Sequence, residues 1–449
     1  MSFNEQTISI DFGNSYCKVG LRIEGNGDSQ LLRDGSFSFD EGNFCIPTIV
    51  GQRKSDGIFR YGTEVLEEGS EDIKVYRNWK PLFFEDSDQA SQDSLRNALM
   101  EDGHDVEDLA LGYFTWLRRQ VEPICRQNHE LEDLEKLPVR ITLPAFGNVA
   151  RATERLEELL SESGWELCHT EQAIPEPVAN AIGAFAQGRN AVWSPPQMQG
   201  GRPMPMQSDS LMPHYGTMFE DSPFLEAFRM NAMQDLDDPM HWVLVVDLGG
   251  YTLDFAMLGF DLEDLSQTFD SSALQSDPPR FARISYPLGV MDLDQMVHDA
   301  LPPDQQEAMQ IMNSDVDQRR LETFHRLCYS NFRPFRVGRT EIGSGSNGEL
   351  VRGAVDAFAV KIQQLAEKFM DSHQFPRVDQ LVLTGGGSNI PAVRKVLIDQ
   401  LRPGHTHGAV NREAELGVEE DVYTELGHDL VRGATATGGT SVYFEFLAS

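Results

Sequence analysis

The sequence predicts an α/β protein built from two similar halves. Strand-like apolar runs alternate with helix-like runs along the 449 residues, which is the pattern of α/β folds. Near residues 7–23 and 242–258 an apolar strand ends in Asp, a turn containing Gly follows, and a second strand begins. A third apolar strand runs into three successive glycines at 385–387. The repeat favours two lobes that each bring a carboxylate and a glycine turn to a shared cleft.

The composition indicates a globular protein with an acidic surface. Apolar residues make up 40% of the chain, and 37 Lys and Arg stand against 71 Asp and Glu, for a net charge of -34. Nucleic acid and anionic membranes repel such a surface, so neither is an expected partner. The five cysteines form no Cys-x-x-Cys pair, and neither a secretory leader nor a run of 18 apolar residues is evident. We therefore expect a reduced, cytoplasmic protein.

In the first half, two strands are expected around the turn that follows Asp11. Apolar periodicity predicts helices at 105–126 and 148–163, and a run of small residues predicts a closely packed helix at 177–187. A short apolar run closed by a proline predicts a strand at 138–144. Residues 191–240 contain many prolines and methionines and have little periodicity. We interpret them as a surface insertion, which is either a linker or a docking segment for a protein partner.

In the second half, the strand pattern resumes at Trp242. The elements expected after it are helices at 291–330, 351–371 and 391–402 and a strand at 378–384. Pro391 stands at a favoured first position of a helix. Glycines at 343, 345 and 348 predict a turn before the long helix.

The glycine turns have the features of phosphate-binding loops. Glycine lets backbone N–H groups converge on an anion, and phosphoryl transfer needs a divalent metal and a positioned water. Asp11 and Asp247 end strands where such turns begin, and Mg²⁺ takes carboxylate oxygens as ligands. An Asp before a Gly is ordinary turn chemistry when it occurs singly. Because the arrangement occurs twice, it predicts nucleotide binding and hydrolysis.

These segments resemble the actin, sugar-kinase and heat-shock ATPase superfamily, and within it the nucleotide-binding domain of DnaK-type chaperones. The residues similar to the family's two phosphate motifs are Asp11–Tyr16 and Asp247–Asp254, and those similar to its adenosine motif are Leu383–Pro391. Three further segments that resemble family elements are Val139–Asn148, the helix that begins with Glu176-Pro177, and the helix at Leu430–Gly438. The resemblance runs from about residue 7 to 440 and implies a two-lobed actin-like fold of duplicated ribonuclease-H-like domains.

The resemblance also implies domain boundaries. Lobe I would span 1–190 with a peripheral subdomain at about 41–134, and lobe II would span 241–427 with a peripheral subdomain at about 286–349. The insertion at 191–240 would lie between them, and residues 428–449 would carry a C-terminal helix that returns to lobe I.

ATP or ADP with Mg²⁺ is the ligand that the resemblance implies, with K⁺ as a second candidate ion. The catalytic candidates are Asp11, Glu176, Asp247 and Lys80, and for Lys80 a solvated surface position is the alternative. The candidate metal-site residues, around a hydrated ion, are Asp11, Asp247 and Asp254. The nucleotide-binding candidates are Gly13, Asn14, Ser15, Tyr16, Gly249, Gly250, Tyr251, Thr252, Gly385, Gly386, Gly387, Ser388 and Tyr329.

Several positions depart from the family pattern. Asn14 replaces a threonine, and Tyr251 stands where the family usually has a third glycine. The adenine-contacting Glu, Lys and Arg of the family are expected near Arg326, Tyr329 and Ser330, so Tyr329 is the candidate to stack on the base. Asn389 stands where an arginine usually stacks on the base.

The function that the resemblance implies is a heat-shock-type ATPase, which switches a protein partner as ATP and ADP change the angle between the lobes. The sequence ends at Ser449 without the family's peptide-binding domain, so peptide capture is not expected. Co-chaperones are candidate partners that the residues do not specify. The alternatives are an actin-like filament-forming ATPase, a small-molecule kinase, and a nucleotide-binding scaffold without turnover. The Glu176 helix and the segment around Pro144 favour the heat-shock type.

Overall fold

The protein is a mixed α/β structure, as the alternation of strands and helices predicts. The computed structural model describes residues 7–22, 29–34, 44–68, 71–84, 90–128, 137–146, 150–168, 173–187, 198–199, 202–203, 240–261, 280–313, 318–408, 423–425 and 428–440. Within the predicted insertion at 191–240, the described residues are 198–199, 202–203 and Met240, so the interpretation of this segment lies outside the described residues.

In the described part of the chain, the first large sheet has seven strands with β1 (Thr7–Phe12) near its centre. Every residue of β1 is buried, which is typical of a strand covered on both faces. This strand forms an antiparallel hairpin with β2 (Tyr16–Arg22) and pairs in parallel with β8 (Pro138–Leu143). The other strands of the sheet are β3 (Ser29–Leu31), β4 (Ile46–Pro47), β9 (Glu166–Leu167) and β10 (Ala173–Pro175).

The second large sheet, counted over the described residues, has six strands and repeats part of this topology. Its strands are β13 (Met240–Leu248), β14 (Leu253–Asp261), β15 (Arg280–Tyr286), β18 (Gln380–Thr384), β19 (His405–Gly408) and β20 (Tyr423–Glu425). The order β15-β14-β13-β18-β19 matches β3-β2-β1-β8-β10 in the first sheet, with two antiparallel pairings followed by two parallel ones. The two Asp-containing hairpins therefore occupy the same place in their sheets.

Smaller sheets and helices surround the large ones. The small strands are β5 (Val50–Arg53), β6 (Phe59–Tyr61), β7 (Ile73–Tyr76), β11 (Met198–Gln199), β12 (Arg202–Pro203), β16 (Phe335–Val337) and β17 (Thr340–Ile342). The first-half helices are α1 (Thr63–Glu67), α2 (Ala90–Glu101), α3 (Val106–Asn128), α4 (Ala150–Glu162) and α5 (Glu176–Gln187), with a 3₁₀ turn at Lys80–Phe83. Helices therefore form where the periodicity of residues 105–126, 148–163 and 177–187 predicts them.

The second-half helices also follow the sequence pattern, with one difference. They are α6 (Val290–Ala300), α7 (Pro303–Asn313), α8 (Gln318–Phe324), α9 (Asn347–His373), α10 (Pro391–Leu401) and α11 (His428–Gly438), with a π-helix at His325–Ser330 and a 3₁₀ turn at Gly386–Asn389. Since α9 starts at Asn347, the prediction that Gly348 belongs to the preceding turn is wrong. Gly343 and Gly345, both with positive φ, complete that turn.

Two helices contact both large sheets. Helix α5 packs against β8 and β10 of the first sheet and β13, β14 and β15 of the second, while α11 packs against β1, β2, β3 and β18. Small residues let these helices touch, since a Cβ on Gly183 would lie 1.8 Å from the Ala434 carbonyl oxygen. Close packing of the small-residue helix at 177–187 is thus confirmed.

Each half has its own hydrophobic core, one around β1 and one around β13. All five cysteines are free thiols and buried. None of the helices in the described part of the chain combines the length and the apolarity needed to cross a membrane.

Candidate functional site

The tips of the two Asp-containing hairpins touch each other. A Cβ built on Gly250 in the second hairpin would lie 3.0 Å from Ser15 Oγ in the first. Asn14 Nδ2 donates to Asn78 Oδ1 at 2.8 Å and lies 2.7 Å from Met291 Sδ on α6. Gly13 is required at its own turn, because a Cβ there would lie 2.2 Å from the Tyr16 carbonyl oxygen.

The two hairpins also repeat each other residue by residue. Asp11 stands opposite Thr142 on the neighbouring parallel strand, and Asp247 stands opposite Thr384. Each threonine hydroxyl donates to the carbonyl of the residue before the aspartate, at 3.5 Å for Thr142 and 3.3 Å for Thr384. Such agreement in register places both carboxylates at corresponding strand ends.

The position opposite each aspartate in the hairpin carries a charged residue. Lys18 pairs with Asp11 and Asp254 pairs with Asp247, each seven residues further along the chain. Lys18 Nζ forms an ion pair with Asp11 Oδ2 at 2.8 Å. The first hairpin thus brings a cation to the site, whereas the second brings another carboxylate.

Asp247 is fixed by a network that joins α5, α11 and β18. Asn180 Nδ2 donates to Asp247 Oδ2 at 2.7 Å, and Thr435 Oγ1 donates to the same oxygen at 3.3 Å. Asn180 Oδ1 in turn accepts from Thr384 Oγ1 at 2.9 Å. These contacts hold one carboxylate oxygen and fix the orientation of the side chain.

Glu176 is held between the two halves. Lys80 Nζ donates to Glu176 Oε1 at 2.5 Å, while Thr252 Oγ1 contacts Glu176 Oε2 at 3.3 Å and Asp254 Oδ2 at 3.0 Å. Lys80 is only 2% exposed, so the alternative that it is a solvated surface lysine is wrong. Ser285 completes the network by donating to Asp254 Oδ1.

The third glycine turn closes against Asp247. Gly385 has φ +80°, and a Cβ there would lie 2.2 Å from Asp247 Oδ1. Its N–H donates to the Val431 carbonyl at 2.7 Å, which ties the turn to α11. Gly387 packs on Leu248, and Ser388 Oγ donates to the Gly385 carbonyl at 2.7 Å. Around Gly386 the space is open.

Burial and mutual repulsion raise the pKa values of the clustered carboxyl groups. Burial raises the pKa of Asp247 to about 7, and the charges of Asp11 and Glu176 add to this effect, which Lys18 opposes. Burial likewise raises the pKa of Glu176 and, more strongly, that of Asp254. Although burial lowers the pKa of Lys18, attraction to Asp11 raises it above its ordinary value. The cluster thus combines a charged lysine with carboxyl groups that hold protons unusually well.

The three tyrosines assigned to the nucleotide site lie in different surroundings. Tyr251 is 3% exposed and packs into the core of the first half, although its hairpin belongs to the second sheet. Its φ is not positive, so this turn does not require the family's third glycine. Tyr16 hydrogen-bonds to Glu322 of α8, and burial raises its pKa.

The structure does not bring Tyr329 into this cluster. Its ring is fully buried in the core of the second half, stacked on His325 at 5.1 Å and next to Phe324 at 5.2 Å. Its hydroxyl donates to Asp294 Oδ1 at 2.5 Å. Both the ring and the hydroxyl are engaged within the protein, so stacking on a base would require the π-helix to rearrange.

The metal-site prediction calls for a hydrated Mg²⁺, held through its waters rather than by a full set of side-chain ligands. Within the described ranges, no three His, Cys, Asp or Glu side chains converge closely enough to hold a metal ion by themselves. Mg²⁺ commonly keeps several waters and binds through one or two carboxylates together with substrate phosphates. Asn14 Oδ1 is buried with no hydrogen-bond partner, and such an acceptor suits a metal-bound water. Asp11, Asp247 and Asp254 remain the predicted metal-site residues on this basis.

Sequence reasoning missed Lys18, Asn180 and Thr435. Lys18 has a signal, because Asp11 to Lys18 and Asp247 to Asp254 have the same spacing in matching hairpins. Asn180 lies one helical turn after Glu176 and so shares its face of α5. Thr435 gave no local signal, since its role depends on where α11 packs.

The sequence matches no protein-family model and no curated protein at a significant level.

Proposed function

We propose that the chain has a two-lobed, actin-like fold and binds ATP with Mg²⁺ between its two hairpins. The observation that carries the proposal is the repeated hairpin, with Asp11 and Asp247 at matching strand ends and the two tips in contact. Two lysines that are partly or fully buried, Lys18 and Lys80, supply the positive charge that a polyphosphate needs. The resemblance to DnaK-type ATPases supports the same assignment.

Each part of the site has a task in hydrolysis. Backbone N–H groups of Gly13–Tyr16 and Gly249–Thr252 would face the phosphates, and the lysines would balance charge on the transferred group. Bound Mg²⁺ would neutralise charge that develops on the phosphate oxygens. Asp11 and Asp247 would orient the waters around it. Glu176, held by Lys80 and Thr252, would position the attacking water.

We further propose that the nucleotide acts as a switch on a protein partner. Helices α5 and α11 contact both large sheets, so a change at the hairpins would alter how the two halves meet. Thr252, Glu176 and Lys80 connect the second hairpin to the 3₁₀ turn of the first half. A γ-phosphate contacted by both hairpins would favour one arrangement of the two halves, and its loss on hydrolysis would release that preference.

Calorimetric titration with ATP and ADP, with and without Mg²⁺, tests the binding step. The test variant is Gly13→Ala, whose Cβ would meet the Tyr16 carbonyl at 2.2 Å, and the control is Gly353→Ala, which has open space around it. We expect the wild type and the control to bind nucleotide with the same affinity. Gly13→Ala should lose affinity by about tenfold or more. Absence of nucleotide binding in the wild type would refute the proposal.

A further inference from the structure

Tyr251 reaches from the second hairpin into the core of the first half. Its ring lies 6.2 Å from that of Phe84 and 6.0 Å from that of Phe146, measured between centroids. With 3% of its surface exposed, it buries most of a large aromatic side chain in this contact. A glycine or another small residue at this position could not make this aromatic contact between the two halves.

The two aromatic partners belong to segments that carry parts of the site. Phe84 caps the 3₁₀ turn that begins at Lys80, the donor to Glu176 Oε1. Phe146 lies just beyond the end of β8, and β8 is the strand that pairs in parallel with β1. Moving the Tyr251 ring would therefore disturb the segment that presents Lys80.

The residue after Tyr251 contacts the same carboxylate from the other side. Thr252 Oγ1 lies 3.3 Å from Glu176 Oε2, so Glu176 is held by Lys80 on one oxygen and by Thr252 on the other. The Tyr251 ring fixes the backbone of Thr252 and, through Phe84, the turn of Lys80. The Tyr251 ring thus contributes to the packing on both flanks of Glu176.

A second tie runs parallel to the aromatic contact. The Ala145 N–H donates to Ser285 Oγ at 2.7 Å, and Ser285 donates to Asp254. Ala145 precedes Phe146, and Asp254 follows Thr252 by two residues. The 144–146 segment is therefore attached to the second hairpin both by ring packing and by hydrogen bonds, which gives the contact a defined geometry.

We infer that Tyr251 is a positioning residue, whose ring packs against Phe84 and Phe146 and thereby holds Thr252 and Lys80 on opposite sides of Glu176. This inference rests on the proposed ATPase. Tyr251 touches no reacting atom, so its ring acts on the rate of hydrolysis through Glu176. Nucleotide affinity is spread over Lys18 and the backbone amides of both hairpins, so a shift of Lys80 and Thr252 affects affinity less than it affects the rate.

The test compares kcat, KM for ATP and Kd for ADP in the full chain. Tyr251→Leu should lower kcat by about tenfold or more, because small misplacements of catalytic groups are costly, while KM and Kd change by about threefold or less. Tyr251→Phe keeps the ring and should recover most of the lost rate. Phe59→Leu, a loss of aromatic packing at the edge of the same core, should reduce stability without lowering kcat.

Double substitution checks that the effect passes through the packed ring. Phe84→Leu should lower kcat as Tyr251→Leu does, and the two together should cost little more than either alone. Two results would overturn the inference: an unchanged kcat in Tyr251→Leu, or a fall in kcat matched by an equal loss of affinity. The proposed ATPase would still stand in either case, provided that the wild type hydrolyses ATP. A wild type that neither binds nor hydrolyses ATP would overturn both.

Discussion

At the level of single residues, buried carboxyl groups dominate the site. Asp247 accepts hydrogen bonds from Asn180 and Thr435 on one oxygen, yet burial and neighbouring carboxylates raise its pKa to about 7. Burial and the neighbouring carboxylates therefore destabilise the ionised form of Asp247 in the folded protein near neutral pH. If Asp247 serves the proposed nucleotide site, its function and the stability of the protein are in opposition at this residue.

The pH dependence of stability should show this opposition. The folded pKa of Asp247, about 7, lies above its ordinary value of 3.8, so the folded state holds a proton that the unfolded chain has lost between these values. The group's contribution to stability is thus complete below pH 3.8 and lost as pH rises through 7. Urea unfolding should show Asp247→Asn more stable than wild type at pH 8, by on the order of 2–4 kcal/mol, with the difference shrinking towards pH 4.

The control for this pH series is Asp399→Asn, whose carboxylate is 64% exposed. It should follow the wild-type curve throughout. If Asp247→Asn also followed that curve, burial of the Asp247 charge would not destabilise the ligand-free protein.

Lys18 should stabilise the ligand-free site. Lys18→Met would leave the Asp11 carboxylate, 7% exposed, without its 2.8 Å partner. We expect the free energy of unfolding to fall by about 3 kcal/mol, because an unpaired buried charge is costly. Lys395→Met removes an exposed pair of the same 2.8 Å length and should cost less than about 0.5 kcal/mol. Equal losses in denaturant titrations of the two variants would contradict this assignment.

Residue identities were predictable where a local pattern marks them. Asp11, Asp247 and Glu176 stand beside glycine turns or open a helix, and the structure brings them together. Thr435 could not be predicted, because only the packing of α11 on β1 and β18 brings it to Asp247. Tyr329 was assigned to the base by register alone, and register does not reveal that its hydroxyl is used by Asp294.

At the scale of elements, α5 and α11 pack closely enough that single methyl groups matter. Glycines on α5 and α11 approach the backbone of the opposite helix, with a Cβ on Gly183 or Gly438 placed 1.8 Å from a carbonyl oxygen. This spacing leaves no room for a flexible side chain to adjust. Both helices also carry side chains of the Asp247 network, so their separation sets part of the site.

A pair of Gly→Ala substitutions should have effects of opposite sign. Gly183→Ala forces α5 and α11 apart and should lower the free energy of unfolding by about 2 kcal/mol or more. Gly353→Ala on α9 has nothing within 4 Å of the new Cβ and should raise it by about 0.5–1 kcal/mol, because alanine favours a helix. Thermal unfolding of both variants measures this, and a stabilised Gly183→Ala would mean that the helices do not pack as described.

Elements were predictable from periodicity, whereas their pairing was only partly so. The strands at 7–23 and 138–144 and the helices at 105–126 and 391–402 follow from apolar spacing. The start of α9 at Asn347 did not, because two positive-φ glycines end the turn sooner than the run of glycines suggests. The matching order of the two large sheets depends on contacts between distant strands, which spacing within each strand does not encode.

At the scale of the whole molecule, charged and aromatic ties join the two halves. Arg432 Nη1 on α11 lies 3.1 Å from Glu322 Oε1 on α8, and Tyr16 hydrogen-bonds to the same glutamate. Tyr251 provides the aromatic counterpart at the other hairpin. Movement of one half against the other has to break or carry along these contacts.

Loss of the Glu322 contact should loosen the junction. Glu322→Gln replaces the ion pair with Arg432 by a neutral hydrogen bond, and amide hydrogen exchange in α11 should speed up by an amount equivalent to about 1 kcal/mol. Glu367→Gln is the control, since Glu367 accepts from Gln363 of its own helix. Equal exchange rates in wild type and Glu322→Gln would mean that this ion pair does not restrain α11.

Phosphate release from ATP with Mg²⁺, measured on wild type and Asp247→Asn with nucleotide binding followed in parallel, decides whether the protein is an ATPase. We expect slow turnover by the wild type and a fall of about a hundredfold in Asp247→Asn, because orientation of the metal's waters is lost while the amides and lysines still bind nucleotide. Tight binding without turnover in either protein would contradict hydrolysis and leave a nucleotide-binding scaffold. Absence of binding in the wild type would contradict the proposed nucleotide site altogether.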